Sequence, residues 1–114
     1  MSVIRLMSVM VAALVLAASN CPTTAQTRAK VIAAGKVIAE KHCASCHATG
    51  LKGASPHRHA PPFRTLRTRY DLDNLQEAFV EGVAVGHRGV DMPEFQFSPD
   101  ATDALITFLK SLRH

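Results

Sequence analysis

The sequence predicts an all-α domain of about three main helices joined by long loops, on three observations. Runs of helix-forming residues carry apolar side chains at three- and four-residue spacing. No segment alternates apolar and polar residues as a half-buried strand would, and Gly and Pro gather between the helical runs. The 114 residues, 47% hydrophobic and 19% charged, bound one small domain and argue against a disordered or repeat-built chain. Trp is absent and aromatics make up only 5%, so the core must be aliphatic or be completed by a group that is not protein.

The first element is not part of the domain. Arg5 precedes Leu6–Ala18, a stretch in which Ser8 alone is not apolar. It is short for a bilayer span and suits the apolar region of an export leader. Thr23, Thr24 and Ala25 form a small-residue cleavage site, so residues 1–25 read as a signal peptide and 26–114 as the domain. A retained anchor and a lipoprotein anchor on Cys21 are the alternatives; Asn20 stands where the second would need a small residue.

The next element is a helix over about Arg28–His42, with Ile32, Gly35, Ile38 and Ala39 at helical spacing. Gly50, Gly53, Pro56, Pro61 and Pro62 then mark a loop, and Arg64, Arg67, Arg69 and Tyr70 open a helical region. A second helix is predicted over Asn74–Glu81, with Asp73 and Gln76 as its capping pair and Gly82 as its stop. Gly86, Gly89 and Pro93 break the stretch from Gly82 to Phe97. The last helix starts at Ser98, whose hydroxyl can accept the first free amide hydrogens, with Pro99 in the first helical position. Ala101, Leu105, Phe108 and Leu112 form its inward stripe.

Loss of the leader removes Cys21, Met1, Met7 and Met10, leaving Cys43, Cys46 and Met92 as the remaining sulfur-bearing side chains. A disulfide between cysteines three apart would close little chain entropy. The chemistry lies instead in the run Cys43-Ala44-Ser45-Cys46-His47. Two thiols three residues apart on a helical turn face one way and can reach the two vinyl groups of a porphyrin, while the following imidazole swings under the iron. This predicts covalent haem c. A redox pair would need a βαβ pattern that is missing. A zinc site of Cys43, Cys46, His57 and His59 would need an unusual one-residue separation of its histidines and would leave His47 and Met92 idle.

Met92, in the loop Val90-Asp91-Met92-Pro93-Glu94-Phe95, is then the candidate for the opposite face of the iron, because thioether sulfur is a recognised axial ligand. His87 is the competing ligand and would lower the redox potential; His42 and His87 otherwise face solvent. Among Arg64, Arg67 and Arg69, one can pair with a haem propionate, against the simpler reading of a solvated face.

These residues resemble the class I c-type cytochromes, small bacterial periplasmic monohaem proteins, and the resemblance spans nearly all of the mature chain. In that family a Gly eight residues before the first Cys packs against an aromatic on the last helix; Gly35 and Phe108 occupy those places. A Pro whose carbonyl takes the hydrogen of the proximal imidazole corresponds to Pro61, with Pro62 the neighbouring register. Met92-Pro93-Glu94-Phe95 resembles the axial Met segment. The chain departs at Ala39, where many members carry an aromatic at the crossing of the first and last helices. The resemblance implies the cytochrome c fold around one haem c, held by Cys43, Cys46, His47, Met92 and Pro61, with His47 and Met92 on the iron.

The functional expectation is one-electron transfer in the periplasm and no catalysis, since coordination from both sides leaves no position for a substrate. A haem-based sensor of small ligands and a permanent haem subunit of a periplasmic dehydrogenase are the alternatives. Thirteen Lys and Arg against nine Asp and Glu give +4, and departure of Arg5 with the leader leaves +3. No like-charge run reaches five residues, so nucleic acid is not an expected partner. The excess suits redox proteins with acidic docking faces, met near Lys52 or Arg88 by a monomer without stable membrane insertion.

Overall fold

The computed structural model describes residues 21–82 and 92–113 and, between them, the backbone of two short strands. The predicted leader core up to Asn20, Arg88, and the side chain of His87 lie outside the described residues.

Helix α1, Thr24–His42, begins four residues before the predicted start because Thr23 and Gln26 form a capping box. The Thr23 hydroxyl accepts from the Gln26 amide at 3.3 Å, and the Gln26 side chain takes the Thr23 amide at 2.9 Å. The first turns stay exposed through Lys30, so this start is held by local bonds rather than by packing. Burial begins with Val31 and Ile32 and deepens at Gly35 and Ala39.

Helix α4, Pro99–Ser111, crosses α1 there. A β-carbon on Gly35 would stand 2.0 Å from the Ala104 carbonyl oxygen and 2.7 Å from Phe108 Cβ, so the two backbones touch and only glycine fits. Ala39, the departure from the family pattern, is wholly buried, so the crossing is closed without an aromatic at that position. Ser98 caps α4, its hydroxyl accepting from the Ala101 amide at 3.3 Å, with Pro99 in the first turn as predicted. The buried set is wider than one stripe. Thr102, Ala104, Ile106 and Leu109 join Leu105, Phe108 and Leu112, because α4 has α1 on one flank and α3 on the other.

A 3-10 turn, Phe63–Thr65, leads into the single-turn α2, Leu66–Arg69. Helix α3, Leu72–Glu81, corrects the sequence reading by two residues: its cap is Asp71, which accepts from the Asp73 amide at 2.9 Å, rather than Asp73 paired with Gln76. The earlier start buries Leu72, and the Asp73 carboxylate is free to pair with Lys110 of α4. Gly82 ends α3 in the left-handed conformation at φ 79°, as the stop at that position requires. Within the stretch read as irregular, strands β1 (Gly86–His87) and β2 (Val90–Asp91) pair antiparallel, Gly86 opposite Asp91.

The architecture is thus all-α, with three main helices and one single-turn helix among the described residues, around a core of Leu66, Leu72, Phe79, Leu105, Leu109 and their neighbours. Among the described residues, no helix is long and apolar enough to cross a membrane.

Candidate functional site

Helix α1 does not stop cleanly at His42; it runs into one further turn. The Cys43 amide bonds the Ala39 carbonyl at 2.9 Å, and the Cys46 and His47 amides bond the Cys43 carbonyl at 3.2 and 2.9 Å. Cys43, Cys46 and His47 therefore sit on a rigid turn at the end of the helix that grips α4. Cys43 is buried, and that burial, with Cys46 beside it, pushes its thiol from 9.0 up to about 11.

The loop after His47 folds back over the turn. The His57 amide bonds the Cys46 carbonyl at 3.1 Å, the Ala48 amide bonds the Ser55 hydroxyl at 3.0 Å, and the Phe63 amide bonds the Ala48 carbonyl at 2.9 Å. These bonds place Pro61, whose carbonyl oxygen accepts from His47 Nδ1 at 2.8 Å; Pro62 is not the partner. A carbonyl can only accept, so the hydrogen sits on Nδ1 and the neutral ring's lone pair is on Nε2, the atom a metal would take. Phe63 packs against the same ring, centroids 5.0 Å apart, and fixes its tilt.

Two adjoining cavities open on this turn, and Cys43, His47 and Met92 line both. Cys46, His57, His59 and Phe95 are among the other residues lining the first, while Pro61, Phe63, Leu66, Leu75, Phe79, Leu105 and Leu109 make the second almost entirely apolar. The structure thus brings Cys43, Cys46, His47, Met92 and Pro61 to one place. Met92 comes from a segment without regular structure. It is held by the Phe97 amide on the Phe79 carbonyl at 3.0 Å and by Gln96 Nε2 donating to the Val80 carbonyl at 3.4 Å.

The zinc alternative does not assemble: among the described residues no three His, Cys, Asp or Glu side chains are grouped to hold a metal ion. His57 and His59 stand at the cavity mouth with ring centroids 5.7 Å apart. Arg67 and Arg69 are exposed. Arg64, next to the cavity-lining Phe63, is half-buried, and its buried Nη1 has no partner among the described residues.

His42 is the residue the sequence reading misplaced. It is half-buried rather than solvent-facing, with its ring against Phe95 and Phe97 at the edge of the first cavity. The local pattern held no sign of it, since its partners stand more than fifty residues away.

The donor set and its surroundings fit a haem. Two thiols share a turn, an imidazole is oriented through its far nitrogen, and a thioether approaches the same space. No curated protein and no solved structure matches the chain. The family model described as Cytochrome c matches residues 32–113, from the buried face of α1 through the attachment turn, the Pro61 loop and Met92 to the end of α4. The chain accordingly belongs to the cytochrome c family, which transfers electrons through covalently attached haem c.

Proposed function

We propose that the protein is an exported, periplasmic one-electron carrier with a single haem c, joined to Cys43 and Cys46 and ligated by His47 and Met92. The observation that carries this reading is the shared lining of both cavities by Cys43, His47 and Met92, together with the His47 Nδ1 bond to Pro61. Bound there, the haem supplies reversible exchange of one electron between ferrous and ferric iron. The chain's own residues do the rest.

Pro61 holds the His47 ring in one tautomer and raises the basicity of Nε2. Leu66, Leu75, Phe79, Leu105 and Leu109 exclude water, which favours the less charged reduced iron, and the Met92 sulfur acts in the same direction. Pairing with a propionate would satisfy Arg64 Nη1, a nitrogen buried without a partner among the described residues and costly to leave so. With His47 and Met92 both given to the iron, the chain would leave no position there for a substrate, which suits a carrier.

Cleavage after Ala25 would remove the Thr23 cap and the first two residues of α1. Residues 21–25 are exposed, so their removal would take nothing from the core.

The decisive experiment is the spectrum of the native mature protein. Colour that stays with the polypeptide through acid-acetone extraction, no alkylation of Cys43 or Cys46 after denaturation, and an iron-to-sulfur absorbance band in the oxidised protein are the expected results. A missing band with immediate carbon monoxide binding to the reduced form would overturn the carrier reading in favour of a ligand sensor. Co-elution of the native protein with a dehydrogenase would replace the free carrier by a subunit.

A further inference from the structure

Met92 lies on a segment that has no ladder of its own, so its position depends on what the following residues touch. On one side α3 holds the segment, through Phe97 on the Phe79 carbonyl and Phe79–Phe97 ring contact at 5.8 Å. On the other side stands His42. Its ring meets Phe95 at 5.9 Å and 71° and Phe97 at 5.5 Å and 66°, both edge-to-face, while the two Phe rings stack on each other at 5.6 Å and 6°. This is the favourable geometry for three aromatic groups.

His42 is also the residue immediately before Cys43, at the end of the helix that carries the attachment turn. From these contacts we infer that His42 is a positioning residue for the sixth ligand: its ring ties the 92–97 segment to the end of α1, so that the side bearing Met92 keeps a fixed depth relative to the side bearing His47. The inference rests on the proposed ligation by Met92. It assigns to His42 the equilibrium between Met92 bound and Met92 released, not the redox chemistry.

Imidazole competing for the sixth position of the ferric holoprotein reads that equilibrium directly. Its apparent affinity scales with the fraction of molecules in which Met92 has left the iron. His42→Ala removes both edge contacts and is expected to tighten imidazole binding about tenfold and weaken the iron-to-sulfur band. His42→Phe keeps a ring in place and should restore wild-type affinity. Phe95→Leu removes one of the two contacts of His42 together with the stack on Phe97, but leaves the His42–Phe97 contact, and should tighten binding less than His42→Ala does. It also serves if His42→Ala yields no holoprotein.

Ile32→Ala, which thins the α1 packing away from this cluster, should lower the thermal midpoint with imidazole affinity unchanged. Wild-type affinity in both His42→Ala and Phe95→Leu, failure of His42→Phe to restore it, or an equal shift in Ile32→Ala would overturn the inference while leaving ligation by Met92 intact. Absence of the iron-to-sulfur band from the wild-type protein would overturn that ligation and this inference together.

Discussion

Single atoms decide most of what this site can do. The Pro61 carbonyl settles which nitrogen of His47 carries hydrogen, and through it which nitrogen faces a metal. If Met92 takes the opposite side as proposed, its sulfur helps set the potential: Met92→His should lower it by up to a few tenths of a volt, a fraction of the roughly 0.8 V that axial ligation commands, as redox titration would show. An unchanged potential would mean that Met92 is not on the iron. Thr102 makes a different point. It is fully buried on α4, and its hydroxyl has no partner among the described residues. Thr102→Val should therefore stabilise the protein by about 1 kcal/mol, the cost of burying an unsatisfied hydroxyl, visible as a higher urea midpoint at unchanged slope.

At the scale of elements, ends and crossings matter more than helix propensity. Gly35 costs helix stability by itself, yet α1 and α4 could not approach with anything larger. Gly35→Ala gains about 1 kcal/mol in propensity but drives a methyl into the Ala104 carbonyl, and the net loss should reach about 2 kcal/mol or more in chemical denaturation. The reassigned cap of α3 is equally open to test. Asp71→Ala should cost about 1 kcal/mol through loss of the bond to the Asp73 amide, whereas Asp73→Ala breaks only an exposed pair with Lys110, worth about 0.5 kcal/mol or less. A larger effect at Asp73 would restore the cap expected from sequence. The two ends of α3 were not equally readable. Gly82 marks its stop unambiguously, but Asp71 and Asp73 are both good caps, and the burial of Leu72 against other elements selected between them.

For the whole molecule, a small chain with few aromatics builds its core around space that its own side chains do not fill. The two cavities lie at the meeting of the attachment turn, the Pro61 loop, α3 and α4, so the haem proposed there belongs to the core as much as to the function. The mature charge, +3 if the leader ends at Ala25, bears on encounter with partners rather than on folding. Electron transfer to a redox protein with an acidic face should slow several-fold as salt rises from about 0.01 M to 1 M and the Debye length falls from about 30 to 3 Å. Stopped-flow rates that do not vary with salt would remove the acidic docking face. Lys52 is exposed and available for such a face.

The sequence by itself determined what depends on neighbours within a few residues. Two thiols and an imidazole fall on one turn, Ser98 and Pro99 start α4, and Gly82 stops α3. The Gly35–Phe108 crossing was also legible, through resemblance to a family rather than through local pattern. Only the tertiary structure decided the contacts made by distant segments: Pro61 rather than Pro62 on His47, the Arg64 nitrogen buried without a partner among the described residues, and the rings of Phe95 and Phe97 around His42. Capping and turn chemistry are written in adjacent residues, whereas a ring-to-ring contact across more than fifty residues depends on how every intervening element packs.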